Sequence, residues 1–311
     1  MNKKKKILIS GGTGFIGYHL AKKCLKQNWL VTSLSSKKPK KFRKLNKVKY
    51  LICDVSNKKK LNKRINTKSF DYVVNLAGYV DHSHKKKTME SHFNGCKNLS
   101  LLFLKSQIKK FIQIGSCVEY GKKKSPQNEN NMLNKKTFSV YGKAKLLSTK
   151  FLLNLYNKYN FPVAILRLYL VYGPAQDINR VVPITIYNAI KNKNFDCSNG
   201  SQLRDFLFID DLVDAIIKSL KNDKVNGEII NIGSGKPIKI RNLIIKICKL
   251  VGSGNPQFGK IQLRKDEIKN LYPKILKSKK LLKWKSEISI ENGLRKTIRY
   301  FKGNIFNEYH T

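Results

Sequence analysis

The sequence predicts an α/β fold, a doubly wound parallel sheet with helices on both faces and a smaller interleaved α/β lobe. Three observations carry that expectation. Apolar runs of strand length recur at 6–10, 29–34, 48–52, 71–76, 110–115, 162–168 and 228–232. Helical patterns separate them, among them 15–27, 90–107 and 141–158. A strand, a glycine turn and a helix follow one another at once at the start of the chain. Alternation of this kind needs crossover connections, which make neighbouring strands parallel.

The first run, Ile7 to Ile9, ends in Gly11-Gly12-Thr13-Gly14-Phe15-Ile16-Gly17, and Ile16, Leu20 and Leu25 then mark a helix face. The first N–H groups of a helix lack internal partners, and the helix dipole favours an anion there, so this turn is a candidate phosphate site. Gly11 and Gly12 permit the turn, Gly14 admits a pyrophosphate, and Gly17 lets helix and strand pack closely. The second run reaches Leu34 and is followed by Ser35-Ser36-Lys37-Lys38. An NAD site usually places a carboxylate near this point, on the adenosine ribose. Ser35 removes that repulsion against a 2′-phosphate and Lys37 adds attraction, about 4 kcal/mol at about 4 Å before desolvation. NADP is therefore the expected cofactor, with NAD the alternative.

The third run leads to Asp54 and Val55, where the carboxylate is a candidate acceptor for an adenine amino group. Small residues follow the fourth, Asn75-Leu76-Ala77-Gly78, and would let backbone lie close to a cofactor. The fifth ends at Ser116. Residues 121–137 are polar and read as a mobile surface loop. The helix 141–158 carries Leu146, Leu147, Phe151, Leu152 and Leu155 on one stripe and stops before Phe161-Pro162. From about Gly173 the rhythm changes. The expected division is 1–173 plus 227–233 for the nucleotide-binding domain and 174–226 plus 234–311 for the second lobe.

The 311 residues, 41% of them hydrophobic, suffice for a large core. No apolar run reaches bilayer length. The basic opening suits the head of a signal peptide, but the run after it breaks at Gly11, so a first strand and a cytoplasmic protein are expected. The six cysteines are scattered without metal-ligand spacing and read as reduced, buried small hydrophobes, with no metal site. The net charge of +45 suggests a polyanion partner. Yet only nine of the 64 basic residues are arginine, and the lysines are spread along the whole chain. Base readout relies on arginine's planar fork. A solvated lysine surface is the favoured reading, and nucleic acid is not an expected partner. Each arginine is correspondingly a better candidate for bidentate anion work.

A Tyr with Lys four residues later presents both on one helical face, where the ammonium stabilises a phenolate and favours proton exchange with a substrate oxygen. Four tyrosines qualify: Tyr18, Tyr120, Tyr141 and Tyr187. Only Tyr141, with Lys145, opens a long helix after a strand-end hydroxyl, Ser116, and ligands bind at the carboxyl ends of parallel strands.

Taken together, Gly11 to Gly17, Asp54, Asn75 to Gly78, Asn94, Ser116, Tyr141-x-x-x-Lys145, Arg167-x-x-x-Val-Tyr-Gly-Pro174 and Arg204-Asp-Phe-Leu-Phe-Ile-Asp210 resemble the extended short-chain dehydrogenase/reductases. The likeness is to the NAD(P)-dependent epimerases, dehydratases and reductases of nucleotide sugars, and it extends over nearly the whole chain. It implies a Rossmann-type sheet of about seven strands. It also implies roles: Tyr141 as acid/base, Lys145 lowering its pKa and holding the nicotinamide ribose, and Ser116 bonding the sugar oxygen. Arg204 and Arg264 match arginines on the sugar diphosphate. The other reading of Arg204 is an ion pair with Asp210 or Asp211.

Departures narrow the reading. Cys117 and Val118 stand where the 4,6-dehydratases carry Asp and Glu. Val118 and Arg180 stand where the fucose-type epimerase/reductases carry Cys and His. Hydride transfer assisted by Ser116, Tyr141 and Lys145 survives: the expectation is reduction of a 4-keto(-6-deoxy) nucleotide sugar, with a 4-epimerase that retains NAD as the alternative. A non-catalytic nucleic-acid-binding relative is the reading from another class. A homodimer through helices 90–107 and 141–158 is expected.

Overall fold

The computed structural model describes residues 3–81, 83–130, 139–263 and 267–308. Six strands alternate with helices in the first part of the chain: β1 (Lys6–Ser10), α1 (Phe15–Lys26), β2 (Leu30–Ser35), β3 (Val48–Ile52), α2 (Lys58–Arg64), β4 (Tyr72–Asn75), α3 (Lys85–Met89), α4 (Gly95–Phe103), β5 (Lys110–Ser116), α5 (Val140–Tyr159) and β6 (Val163–Leu168). The later part supplies α6 (Val181–Ile190), α7 (Ile209–Leu220), β7 (Ile229–Ile232), α8 (Ile240–Val251), α9 (Leu276–Leu282) and α10 (Ile290–Glu308). The sheet runs β7-β6-β5-β4-β1-β2-β3 and is parallel throughout.

Side chains on a strand alternate between faces, so each strand feeds two cores. Ile7 and Ile9 of β1, with Val74 and Ile112, pack against Leu20 and Cys24 of α1 and Leu212 and Ile216 of α7. Leu8, Val73, Phe111 and Ile165 pack on the other side against Leu99 and Phe103 of α4 and Leu152 and Leu155 of α5. All six cysteines are free, and all but Cys248 are buried.

Several boundaries differ from expectation. The helix expected at 90–107 begins at Lys85, passes through a π-helical segment at Glu90–Asn94, and ends at Phe103. Helix α7 lies within the segment assigned to the second lobe but packs on α1 and β5. Its apolar face, rich in Ile and Leu, packs on the sheet. Helices α6, α8 and α10 pack on one another beyond it. Residues 131–137 of the expected mobile loop lie outside the described residues. Around Gln127 the loop is anchored instead. Gln127 is buried, its N–H donates to Tyr272 O, and its carbonyl accepts from Lys274 N–H and the Asn231 amide.

Among the described residues no helix is long and apolar enough to cross a membrane.

Candidate active site

The carboxyl ends of the central strands bring the candidate residues to one edge of the sheet. Ser10 of β1 is in register with Leu34 of β2 and Asn75 of β4. The glycine turn follows from there. Gly11 has φ +74°, a conformation open to glycine at little cost. A Cβ on Gly11 would stand 2.8 Å from the Leu76 carbonyl carbon and 2.9 Å from the Ala77 nitrogen, so the 76–77 main chain lies directly against the turn. A Cβ on Gly17 would meet Gly11 O and Gly12 Cα at 2.5 Å, which makes glycine the condition for close helix–strand packing. Gly14 is different: a Cβ there would meet only Gly11 O, at 3.2 Å. Gly14 is the N-cap of α1, and no side chain caps the helix. Open space over an uncapped helix N-terminus fits the pyrophosphate of a dinucleotide. Thr13 N–H donates to Ser35 Oγ at 3.2 Å, tying the turn to the end of β2. Phe15 and Ile16 pack sideways on the core.

At the end of β5, Ser116 hydrogen-bonds the Tyr141 phenol across to the first turn of α5. Helix α5 is capped by Ser139, whose hydroxyl accepts from Gly142 N–H at 3.1 Å. Lys145 follows one turn later and is buried. Its ammonium donates to the Ile114 carbonyl at 2.7 Å and lies 5.8 Å from the centre of the Tyr141 ring. The three residues lie together between the end of β5 and the first two turns of α5. Burial pushes the Tyr141 phenol up to about 12, partly opposed by the Ser116 hydrogen bond. Burial also pulls Lys145 below the ordinary lysine range, against the raising influence of Glu119.

Tyr120, one of the rival Tyr-x-x-x-Lys tyrosines, is structural. Its hydroxyl donates to Asn231 Oδ1 at 2.7 Å, and Arg167 lies over its ring.

The remaining candidates are placed as follows. Ser35 is buried and its oxygen already serves Thr13, whereas Lys37 is exposed. Asp54 is exposed, with Oδ1 accepting from the N–H and hydroxyl of Ser56 at 2.8 Å each. Val55 turns into the core, where it would touch a Cβ on Gly95 at 2.5 Å, so its side chain is not directed at a ligand. Gly78 lies against the His92 ring, which leaves no room for a side chain. Arg180 is an exposed residue at the start of α6, close enough for its charge to act on Tyr141. Arg204 is mostly buried and pairs with Glu267, while donating to Leu203 O at 2.8 Å. Neither Asp210 nor Asp211 is its partner. Asp211 instead accepts from the N–H groups of Glu287 and Ile288. Arg264 lies outside the described residues.

Four residues at the site carried no expected role, although Arg167 stands in a motif that carries the resemblance. The His92 ring packs edge-on against Tyr141, with ring centres 4.9 Å apart. Glu119 and Arg167 form a buried ion pair beside Ser116. Glu267 holds Arg204. An arginine in a lysine-rich chain was the available signal for Arg167, and no local pattern marks the other three. Cys117, next to Ser116, has its thiol pushed up to about 12 by burial and behaves as a neutral group.

Residues 7–233 match the model of the NAD dependent epimerase/dehydratase family. The UDP-N-acetyl-alpha-D-glucosaminuronate decarboxylase of Bacillus cytotoxicus is 31% identical over 96% of this chain and 98% of its own. The UDP-glucuronate 4-epimerase of Thermodesulfobacterium geofontis is 29% identical over 96% of each chain. The crystal structure of UDP-glucuronic acid 4-epimerase from Bacillus cereus, in complex with UDP-glucuronic acid and NAD, superposes with a TM-score of 0.84 at 26% identity, covering 96% of this chain and 99% of that one. With its parallel seven-stranded sheet and glycine turn, the chain belongs to the NAD-dependent epimerase/dehydratase family of nucleotide-sugar enzymes.

Proposed function

We propose that this protein reduces the 4-keto group of a nucleotide sugar with an exchangeable nicotinamide cofactor, NADPH in preference to NADH. The observation that carries the reading is the end of β2. A retained NAD is gripped through its ribose hydroxyls by a carboxylate at such a position. Here the strand ends on Ser35, which bonds to Thr13 N–H, and exposed Ser36, Lys37 and Lys38 follow. That surface suits a 2′-phosphate and a cofactor that leaves after each turnover.

The glycine turn, the main chain at Leu76 and Ala77, Asp54 and Lys37 are the groups that would hold the dinucleotide. When bound, the cofactor supplies hydride to the sugar carbonyl carbon. Ser116 would donate to the carbonyl oxygen and align it with Tyr141. The phenol, held protonated by burial, gives its proton to that oxygen as the alcohol forms. Lys145 is buried and fixed by Ile114 O, and would hold the nicotinamide ribose. Arg204 would bind the sugar diphosphate on release from Glu267, with Arg180 and Arg264 as further contacts. Cys117 and Val118 supply no acid/base pair beside Ser116, which disfavours elimination of water. A homodimer through α4 with its preceding π-helical segment and α5 belongs to the same proposal, since Phe93 of that segment and Phe151 of α5 stack edge-on and stay partly exposed.

The second reading, a 4-epimerase, is favoured by relatives of that name matching the full length. One experiment separates the two. Purified protein is assayed with nucleotide-linked 4-keto sugars and NADPH or NADH, the product configuration is read by NMR, and nucleotide released on denaturation is quantified. Net NADPH oxidation with an empty cofactor site supports the reductase. Stoichiometric bound NAD and interconversion of 4-hydroxy epimers would replace it with the epimerase.

A further inference from the structure

Glu119 stands three residues after Ser116, is buried, and divides its two carboxylate oxygens between two tasks. Oε1 accepts the Ser116 backbone N–H at 2.7 Å. Oε2 accepts from Arg167 Nε at 3.0 Å, Arg167 Nη2 at 2.8 Å and the Thr149 hydroxyl at 2.7 Å. The ends of β5 and β6 and the third turn of α5 thus meet at one carboxylate. Neither partner of the Glu119–Arg167 pair is exposed. The backbone makes room for it: a Cβ on Gly115 would stand 2.6 Å from Oε1.

A buried ion pair is poor evidence of stabilisation, because desolvation offsets much of its attraction. Its value here is in what the carboxylate touches. The Ser116 N–H is the main-chain donor of the residue whose hydroxyl bonds Tyr141. We propose that Glu119, locked by Arg167 and Thr149, is a positioning residue that fixes the Ser116 main chain and sets the charge around Tyr141. The proposal rests on Tyr141 being the proton-transfer group.

The groups facing the phenol are Ser116, Cys117 and Glu119 from the end of β5, His92 from the π-helical segment, Lys145 from its own helix and Arg180 from the start of α6. Glu119 is the carboxylate among them, and its charge favours the protonated phenol. The same charge favours the protonated form of Lys145. Removing it lets the phenol ionise at lower pH.

Glu119→Gln keeps the side chain's size and removes its charge. The reduction needs the protonated phenol, so activity falls as pH rises through the phenol pKa. In Glu119→Gln that alkaline limb moves to lower pH by about one unit. Ultraviolet titration of tyrosinate in cofactor-free protein, taken as the difference with and without Tyr141→Phe, moves the same way. Glu119→Asp keeps the charge but shortens the reach to Ser116, so kcat falls by about 10- to 100-fold with the limb unmoved. If Glu119→Gln does not fold, the paired Glu119→Gln/Arg167→Gln variant leaves two amides in contact and should show a smaller downward movement, because the Arg167 charge that offsets Glu119 is removed with it. An unmoved limb and unmoved titration in the folded charge-free variant overturn the proposal. Loss of turnover with every 4-keto sugar in the wild-type chain would overturn the reductase reading instead, and the cofactor-free titration still decides the role of Glu119.

Discussion

Lys145 and Ile114 are joined by a 2.7 Å hydrogen bond from the ammonium to the backbone carbonyl, so the lysine is anchored to β5 rather than to the phenol. In the free protein the Tyr141 phenol therefore stays protonated far into alkaline pH, pushed up to about 12 by burial. A proton donor in that state is ready at neutral pH, and a proton acceptor is not. Carbonyl reduction should be flat in pH from neutral to mildly alkaline conditions and fall as pH approaches the phenol pKa. The reverse oxidation should rise with pH over the same range. Tyr141→Phe should lower both by about 100- to 10,000-fold while leaving cofactor affinity within about threefold. Steady-state pH profiles and fluorescence titration with NADPH read the two effects separately.

The glycines of the turn divide by what surrounds them. Gly17→Ala would place a methyl 2.5 Å from Gly11 O and Gly12 Cα, both backbone atoms that have nowhere to go. It should lower the thermal midpoint by several degrees, corresponding to about 1–3 kcal/mol of overpacking, and abolish cofactor binding. Gly14→Ala meets a single oxygen at 3.2 Å. It should fold normally and weaken cofactor binding about tenfold or more, because the methyl takes the space over the helix N-terminus. Calorimetry and NADPH titration of the two variants distinguish packing from ligand access. Equal thermal midpoints would refute this assignment.

What the sequence made legible is what depends on local pattern. The strand runs at 6–10 and 48–52 coincide with β1 and β3, because period and glycine punctuation are written into neighbouring residues. Ser116, Tyr141 and Lys145 were chosen the same way, from a strand-end hydroxyl and a four-residue helical spacing, and the fold brings them together. Glu119, Arg167, His92 and Glu267 were not, since each acts through a partner distant in sequence; Glu119 reaches Arg167 across 48 residues and Glu267 reaches Arg204 across 63. The anchored strand of loop around Gln127 was missed for the same reason: Gln127 bonds to Asn231, Tyr169 and Tyr272, all distant in sequence. Burial, too, is invisible to spacing, and it pushes the Tyr141 phenol up.

His19 joins α1 to the segment after Tyr172, its Nε2–H donating to the Pro174 carbonyl at 2.8 Å. Burial brings its pKa down from 6.5 to about 4, with the Pro174 bond opposing. A group whose folded pKa is depressed contributes stability above its unfolded pKa and loses it as pH falls toward the folded one. Stability should therefore decline between about pH 6.5 and 4, by up to about 3 kcal/mol from this residue before solvent screening. His19→Asn, which keeps an N–H donor without a titrating ring, should show a shallower decline in chemical denaturation across that range. A decline of equal slope in the variant would assign the acid sensitivity elsewhere.

Arg204 is held away from solvent by Glu267 and by the Leu203 carbonyl. A diphosphate offers the guanidinium a stronger bidentate partner than one carboxylate does. Arg204→Leu should raise KM for the nucleotide sugar by about 10- to 100-fold with a smaller effect on kcat, the pattern of lost ground-state binding. Glu267→Gln should act oppositely and lower KM, because the guanidinium no longer leaves a carboxylate to bind substrate. Kinetics of the two variants, with NADPH held saturating, measure both directions. A rise in KM in both would mean that Glu267 orients Arg204 rather than competing for it.

Ser35 closes β2 with its oxygen on Thr13 N–H, and that oxygen can be supplied equally by a carboxylate. Ser35→Asp therefore preserves the turn while placing an anion where a 2′-phosphate would lie. Two like charges about 4 Å apart at an effective dielectric of about 20 repel by about 4 kcal/mol, and water and Lys37 reduce what is observed. Selectivity for NADPH over NADH, taken as the ratio of kcat/KM values, should fall by about 10- to 100-fold. Lys37→Glu should lower it further, since Lys37 is exposed beside the same strand end. Raised salt should weaken NADPH binding to the wild-type chain more than NADH binding, because only the former gains from the lysines. If Ser35→Asp leaves the ratio unchanged, the adenosine ribose does not approach β2, and the cofactor preference proposed here loses its physical basis.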